Sequence, residues 1–361
     1  MQHPRMLALA SVEPPYTLDQ AAIVSTLVNG LYGPRWEENP EAVAQHRQLE
    51  HAFKASKVER RQFAADLVSY YQEPRSTGDR MALYAPAAQE LGQKAIEACL
   101  RQTDGTASAA DITDFIAVSC TGYAAPGLDI LLARDLEMPR DIRRVCIGHM
   151  GCYGTMVGLR QCLAPLHAYP DSTAALLSVE LCGLHFKPTL DVDSLTAFSL
   201  FGDAAGAMLL GHQADATGPA LVDTYAAADF STTEQMTWYI GDSGFHMHLS
   251  PRVPVTLRRH VKGVVEHLLD PHGLHISEID HWVVHPGGPS ILEVVQQRLE
   301  LSDEQMEPSW SALANHGNCS STTVLLIFED LIQKRQPRSG EWCVMMAFGP
   351  GLTLETALWQ F

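Results

Sequence analysis

The 361-residue sequence is poor in positive charge. Lys and Arg number 25 against 42 Asp and Glu, a formal net charge of −17. Nucleic-acid binding needs a basic excess and is excluded. An anionic small molecule needs only a local basic patch and is not. No apolar run is long enough to span a membrane. The start, MQHPRMLALASVEPPYTL, has a short apolar patch with two prolines soon after and is not expected to act as a signal peptide. Among the 8 cysteines there is no CxxC and no zinc-type spacing, so no zinc site is expected. The expected setting is a reducing cytoplasm with free thiols. Hydrolase and nucleotide signatures are missing too. GDSG (241–244) lacks the GxSxG spacing, and FGPGLT follows a strand but opens no helix. Glu50–Arg61 holds no glycosidase-type carboxylate pair.

What is present is an ordinary globular composition, 46% hydrophobic and 19% charged, enough for a large core or two core units. Residues 17–110 read as mostly helical, beginning with a helix in TLDQAAIVSTLVNGLY capped by Thr17. Strands and helices then alternate. DFIAVSC (114–120), RRVCIG (143–148), TAALLSVEL (173–181) and FSLFGDAAGAMLLG (198–211) are predicted strands. PGLDILLARDLEM (126–138), with Pro126 at its start, and the segment from Cys152 are predicted helices. The pattern then repeats. TDFIAVSCTGYAAPGL matches IDHWVVHPGGPSIL in kind, HMGCYGTMVGL (149–159) aligns ungapped on HGNCSSTTVLL (316–326), and AALLSVE matches WCVMMAF. Three segments in one order at nearly one spacing imply a duplicated α/β unit about a pseudo-twofold axis. The expected halves are 1–212 and 213–361, joined near GHQADATGPA (211–220).

Three residues stand at matching ends of the halves. Cys152 follows Gly151 at a predicted helix start, where unpaired N–H groups and a partial positive charge lower a thiol's pKa. It reads as a nucleophile or as a buried structural thiol. His285 ends an apolar strand and enters the rigid loop Pro286–Pro289, so it either faces a ligand crevice or closes the strand. Asn318 aligns with Gly151 and is either an N-cap or an amide donor aimed at the first half. Together, a thiol and two nitrogen donors can accept an acyl group and stabilise a thioester oxyanion or enolate.

The same residues carry a family resemblance. GC before a helix, HPGGPSILE (285–293), GNCSSTTVLLIFEDL (317–331) and AFGPGLTLET (347–356) closely resemble the type III polyketide synthases, the chalcone synthase-like family. SLFGDAAGAMLLG and SCTGYAAPGLD fit as well, in order from about residue 110 to the end. The resemblance implies a thiolase-like duplicated αβαβα fold and a homodimer. It also implies iterative decarboxylative condensation of malonyl-CoA onto an acyl-CoA starter, with CoA thioesters as substrates and neither metal nor cofactor required. Cys152 would carry the chain, and His285 with Asn318 would drive decarboxylation. A pyrone- or resorcinol-type product is expected.

The resemblance further implies gatekeeper phenylalanines at Phe186 and Phe245, and a cavity wall that includes Cys120, Cys182, His185, Met236 and Ser320. Cysteines at 120 and 182, where plant members often have threonine, resemble bacterial members. Cys120 is either a wall residue or a second reactive thiol. CoA phosphates are expected near FKASKVERRQF (53–63), read as one helix presenting Lys54, Lys57, Arg60 and Arg61, with Gln48 and His51 where basic side chains might be expected. The alternatives are a single-condensation enzyme resembling initiating 3-ketoacyl-(acyl-carrier-protein) synthases, and a non-catalytic acyl-CoA-binding homologue.

Overall fold

The computed structural model describes residues 3–213 and 216–361. The expected junction, 211–220, includes residues 214 and 215, which lie outside the described residues. In chain order the strands are β1 (Arg5–Val12), β2 (Tyr16–Asp19), β3 (Arg60–Phe63), β4 (Asp114–Ser119), β5 (Arg143–Gly148), β6 (Thr173–Leu181), β7 (Asp203–Gly211), β8 (Ala220–Ala228), β9 (Met236–Gly241), β10 (Gly244–Leu249), β11 (His281–Val284), β12 (Trp342–Gly349) and β13 (Thr353–Gln360).

Nine of these form one sheet in the order β11-β12-β13-β8-β1-β7-β6-β4-β5. The first half contributes β5-β4-β6-β7-β1 and the second β11-β12-β13-β8. In each half a parallel pair leads into antiparallel neighbours: β4 runs parallel to β6, as β11 does to β12, while β7 and β13 run antiparallel. The second half therefore repeats the first without an equivalent of edge strand β5. The two halves of the sheet touch where Arg5 of β1 faces Ala220 of β8.

Side-chain alternation stacks the layers. Phe115 and Ala117 of β4 enter a core with helix Thr77–Arg101, while Ile116 and Val118 face the opposite way. Val283 of β11 and Cys343, Met345 and Ala347 of β12 point into that same middle layer. It also holds helices Gly154–Ala168 and Thr323–Arg335. Trp282, Val284, Val344 and Met346 point to a third core, against helices Val253–Leu269 and Pro289–Leu299. Helix, sheet, helix, sheet, helix is the duplicated αβαβα arrangement.

Local details depart from the sequence reading. Thr17 lies in β2; the helix runs Gln20–Tyr32, and the Asp19 carboxylate accepts from the Ala22 N–H at 2.7 Å as its cap. Residues 198–211 divide into the end of helix Val192–Leu200 and strand β7. The helix expected from Pro126 runs Leu128–Asp135, with Gly127 as its cap residue. The stretch 53–63 is not one helix. The preceding helix ends at Lys54, Lys57 takes a left-handed φ of 57°, and Arg60 and Arg61 begin β3. The ungapped alignment of the halves also slips by two. Both 3₁₀ turns begin on a residue with left-handed φ, Gly151 at 74° and Ser320 at 48°, and lead into the helices from Gly154 and Thr323. Gly151 thus matches Ser320, and Asn318 stands two residues upstream of its turn.

Helix Gly154–Ala168 lies close on the sheet because Gly158 has no side chain: a Cβ there would come within 2.5 Å of Leu176 Cδ1 and 3.2 Å of Val118 Cγ2. Gly158→Ala is expected to overpack the middle layer and cost about 1–3 kcal/mol. Gly263, on helix Val253–Leu269, has nothing within 4 Å of such a Cβ. Gly263→Ala is expected to stabilise by roughly 0.5–1 kcal/mol, since glycine is a poor helix former. Urea unfolding of the two variants should move in opposite directions.

Candidate active site

Cys152 sits in the 3₁₀ turn Gly151–Tyr153, just ahead of its helix. The FGPGLT loop packs behind it. A Cβ on Gly151 would come within 2.6 Å of Pro350 Cδ, so glycine is required both by the left-handed φ and by this contact. Cys120, just past the end of β4, accepts the Gly151 N–H at 3.0 Å and its thiol donates to the Gly151 carbonyl at 3.5 Å. Of the two readings of Cys120, this bonding is that of a wall residue tethering the turn of Cys152.

His285 follows β11, and its N–H extends the ladder to the Met346 carbonyl at 2.9 Å. The ring is buried, and neither nitrogen has a protein hydrogen-bond partner. Asn318 is held by its backbone. Its N–H donates to the Leu200 carbonyl at 2.8 Å, and its carbonyl accepts the Gly202 N–H at 3.1 Å. Its Oδ1 accepts the Ser320 N–H at 2.8 Å, which orients the amide and leaves Nδ2 without a partner. Cys152 Sγ lies 3.9 Å from Asn318 Oδ1. All three side chains line one cavity of about 370 Å³, otherwise mainly apolar.

Electrostatics here differ from the sequence expectation of a thiol acidified at a helix start. Burial pushes the Cys152 thiol up to about 12, against hydrogen bonds to Ser320 and Asn318 that pull the other way. Burial also pulls His285 down to about 3. Burial thus favours the neutral thiol and the neutral imidazole, because the cavity penalises each isolated charge.

Glu180 was missed by the sequence reading. It is fully buried on β6 and accepts from the Cys120 N–H at 3.0 Å, from Thr121 Oγ1 at 2.9 Å and from Ser321 Oγ of the second half. Desolvation pushes its carboxyl up to about 7. The available signal was a lone acid inside the apolar run TAALLSVEL.

The cavity wall only partly follows expectation. Cys120, Cys182, Met236 and Ser320 line the cavity. Phe186 and Phe245 do not. Phe186 packs among Phe63, Tyr71 and Phe198, and Phe245 stacks on His185 at 4.3 Å between ring centres. These two and His185 border a second cavity of about 530 Å³. Phe201, Met247, Trp238 and Cys182 line both cavities and form the partition. Phe201 and Met247, rather than Phe186 and Phe245, stand on the boundary of the catalytic cavity. Met247 is two residues beyond Phe245 on β10, faces Trp238 across the hairpin, and was passed over because it is not aromatic. His185 is locked, its Nε2 donating to the Thr121 carbonyl at 2.6 Å and its Nδ1 accepting the Phe245 N–H at 3.1 Å.

Of the expected CoA residues, Lys54 is exposed at a helix end. Lys57 pairs with Glu293 at 3.4 Å and lies 4.3 Å from the centre of the Trp310 ring. Arg61 is a correction: it is completely buried, donating to the Phe201 carbonyl and to Gln20, each at 2.6 Å, and cannot meet a phosphate at the surface.

Comparison with known proteins places these features among relatives. The model of the chalcone and stilbene synthase N-terminal domain matches residues 5–214, and that of the C-terminal domain matches residues 225–360. A 1,3,6,8-tetrahydroxynaphthalene synthase of Streptomyces peucetius subsp. caesius is 37% identical, over 78% of this chain and 75% of its own. A 3,5-dihydroxyphenylacetyl-CoA synthase of Streptomyces toyocaensis is 32% identical over 79% and 75%. The alpha-pyrone synthesis polyketide synthase-like Pks18 of Mycobacterium tuberculosis is 29% identical over 88% and 83%. In fold, the crystal structure of PKS-I from the brown alga Ectocarpus siliculosus superimposes with a TM-score of 0.90 at 23% identity, over 100% of this chain and 98% of that one.

With a raised thiol pKa, iodoacetamide alkylation of Cys152 in the free protein is expected to be slow at pH 7. It should climb about tenfold per pH unit as thiolate forms, without levelling off below pH 9. Mass mapping of Cys152 across pH 6–10 checks this. A plateau below pH 8 would show that the pair is already ionised.

Proposed function

The chain belongs to the chalcone and stilbene synthase family and is a type III polyketide synthase, and from that premise we propose how its residues divide the work. Malonyl-CoA and an acyl-CoA starter are the substrates. Cys152 attacks the starter thioester, its proton passing to His285, and the departing CoA thiolate takes that proton back. The acyl group is left on sulfur. Moving the proton within a thiol–imidazole pair creates no net charge, so the desolvation that disfavours either ion alone is partly offset by their attraction.

Malonyl-CoA then presents its thioester oxygen to His285 and Asn318. The bond between C2 and the carboxylate carbon breaks and CO₂ leaves. The electron pair becomes an enolate whose oxygen is held by the two N–H donors. The enolate carbon attacks the Cys152 thioester, a carbon–carbon bond forms, and the Cys152 thiolate departs. Return of the extended chain to Cys152 restarts the cycle. The observation that carries this reading is the set of unpartnered nitrogens on His285 and Asn318, opening into the cavity that holds Cys152. Ring closure to a pyrone- or resorcinol-type product is supported by the relatives, whose names specify a hydroxylated naphthalene, a dihydroxyphenyl thioester and alpha-pyrones.

The working form is a homodimer in this reading. Edge strand β5 has only β4 as a neighbour, and it exposes Val145 and Cys146 to solvent, with Ile130 also exposed on the adjoining helix. An uncovered edge of that kind is a template for pairing, and a second copy is the proposed cover. Sedimentation should give twice the 39.6 kDa chain mass, and Val145→Lys should give the monomer. Wild-type protein sedimenting as a monomer at micromolar concentration would refute it.

Incubation with malonyl-CoA and a panel of acyl-CoA thioesters, with products identified by mass, tests the activity. Products of two or more extensions are expected without any carrier protein. Asn318→Ala should slow decarboxylation by roughly 10²–10³-fold, the loss usual for one oxyanion donor. Cys152→Ala should abolish condensation. A single condensation, or dependence on a carrier protein, would favour the initiating-synthase alternative. Unaltered products from Cys152→Ala would remove the proposed nucleophile.

A further inference from the structure

Arg61 is a fully buried cation, and among the described residues no carboxylate lies within ion-pair distance of it. Its Nη1 donates to the Phe201 carbonyl, its Nη2 donates to Gln20 Oε1, and its Nε has no partner. The buried Asp203 carboxylate acts on it only from beyond ion-pair distance. Burying a charge without a directly paired partner is costly, and an apolar side chain of similar volume is often the more stable filling. Packing alone therefore does not account for a guanidinium here. What it holds does.

Phe201 lies between Leu200 and Gly202, and those two residues grip the backbone of Asn318 from either side, through the Leu200 carbonyl and the Gly202 N–H. The pair Phe201–Asn318 is an isolated parallel bridge between the two halves of the chain. The stem of Arg61 lies along the same crossing. A Cβ on Gly317 would come within 2.7 Å of Arg61 Cδ, and one on Gly202 within 3.4 Å of Arg61 Cβ. Gln20 completes the brace, its Nε2 donating to the Ser199 carbonyl at 2.9 Å. Helix, strand and crossing are thus tied behind Asn318, while its Nδ2 opens to the front.

We propose that Arg61 is a positioning residue for Asn318: by holding the Phe201 carbonyl it fixes the crossing that aims the Asn318 amide into the catalytic cavity. The role rests on the reading of Asn318 as a donor to the malonyl thioester. It also sets the wall, since Phe201 is part of the partition between the cavities. Loading of Cys152 depends less on this brace: the thiol proton passes to His285, and Asn318 meets the sulfur only through Oδ1, at 3.9 Å.

The test compares Arg61→Met and Arg61→Lys in the full-length protein. Amide hydrogen exchange is followed over residues 199–203 and 316–320, together with malonyl-CoA decarboxylation and single-turnover acylation of Cys152. Arg61→Met should speed exchange at both segments and lower kcat for decarboxylation by on the order of 10²-fold, the scale of a misplacement of about 1 Å. KM and the acylation burst should be little changed, and Arg61→Lys should recover part of the loss. Equal falls in decarboxylation and acylation, or unchanged exchange around Asn318, would overturn the proposal. If Arg61→Met does not fold, Gln20→Leu, which removes the second anchor of the guanidinium, is judged by the same criteria. A wild-type protein that does not decarboxylate malonyl-CoA refutes the proposed function, whereas the exchange data still decide whether Arg61 braces Asn318.

Discussion

The structure depends on keeping the side-chain nitrogens of His285 and Asn318 free of protein partners. A buried polar group without a partner costs about 1–3 kcal/mol, and the two side chains leave three such nitrogens in the same cavity. Folding tolerates this because the surrounding framework over-determines their positions. His285 is fixed by the β11–β12 ladder and the glycine–proline loop after it. Asn318 is fixed by backbone bonds on both sides and by the Ser320 N–H on its Oδ1. An oxygen acquiring negative charge there finds donors already oriented by the protein.

Both donors come from the second half of the chain and the thiol from the first, so chemistry depends on how the halves join. The joint is polar at its centre. Glu180 of β6 ties the Cys120–Thr121 corner to Ser321, and Ser178 reaches Ser321 and Thr322 at 2.8 and 2.9 Å. Thr155 donates to the Ser321 carbonyl at 2.7 Å, linking the helix after Cys152 to the turn after Asn318. Such a network is directional where apolar contact is not, and it sets one register between two similar units. Around it the middle layer supplies the apolar area: Val118, Met156, Leu176, Val324 and Met345 from both halves.

The sequence made the reacting residues legible because glycine, proline and strand ends mark them. Cys152 after Gly151, His285 before Pro286–Pro289 and Asn318 after Gly317 stand where backbone geometry leaves few choices, and the fold brings them to one cavity. The repeat of strands and helices was equally visible, since alternation in Phe115–Val118 or Trp282–Val284 is a local property. The cavity wall was not. Phe186 and Phe245 are as aromatic as a gate requires, but Phe186 turns into the first core and Phe245 onto His185, while Phe201 and the flexible Met247 face the cavity. Which residue on a strand meets empty space is decided by packing that no local pattern records. Arg61 makes the same point. Its charge suggested a surface, and only β3 passing behind the Phe201–Asn318 crossing reveals that it is internal.

The partition gives the catalytic cavity its shape on one side. The catalytic cavity is bounded on one side by Trp238, whose Nε1 donates to the Cys120 carbonyl at 2.7 Å, so this wall is latched to the same corner that tethers the turn of Cys152. Beyond Trp238, Met247, Phe201 and Cys182 lies a space of about 530 Å³ that a chain in the first cavity does not reach while they hold. An apolar wall discriminates weakly, by about 1–3 kcal/mol per methylene, and offers little to hydrogen-bond the carbonyls of a growing polyketide. The thiol and two donors face the same cavity, and the four wall residues, none of them bearing a nucleophile aimed at Cys152, bound the space on that side.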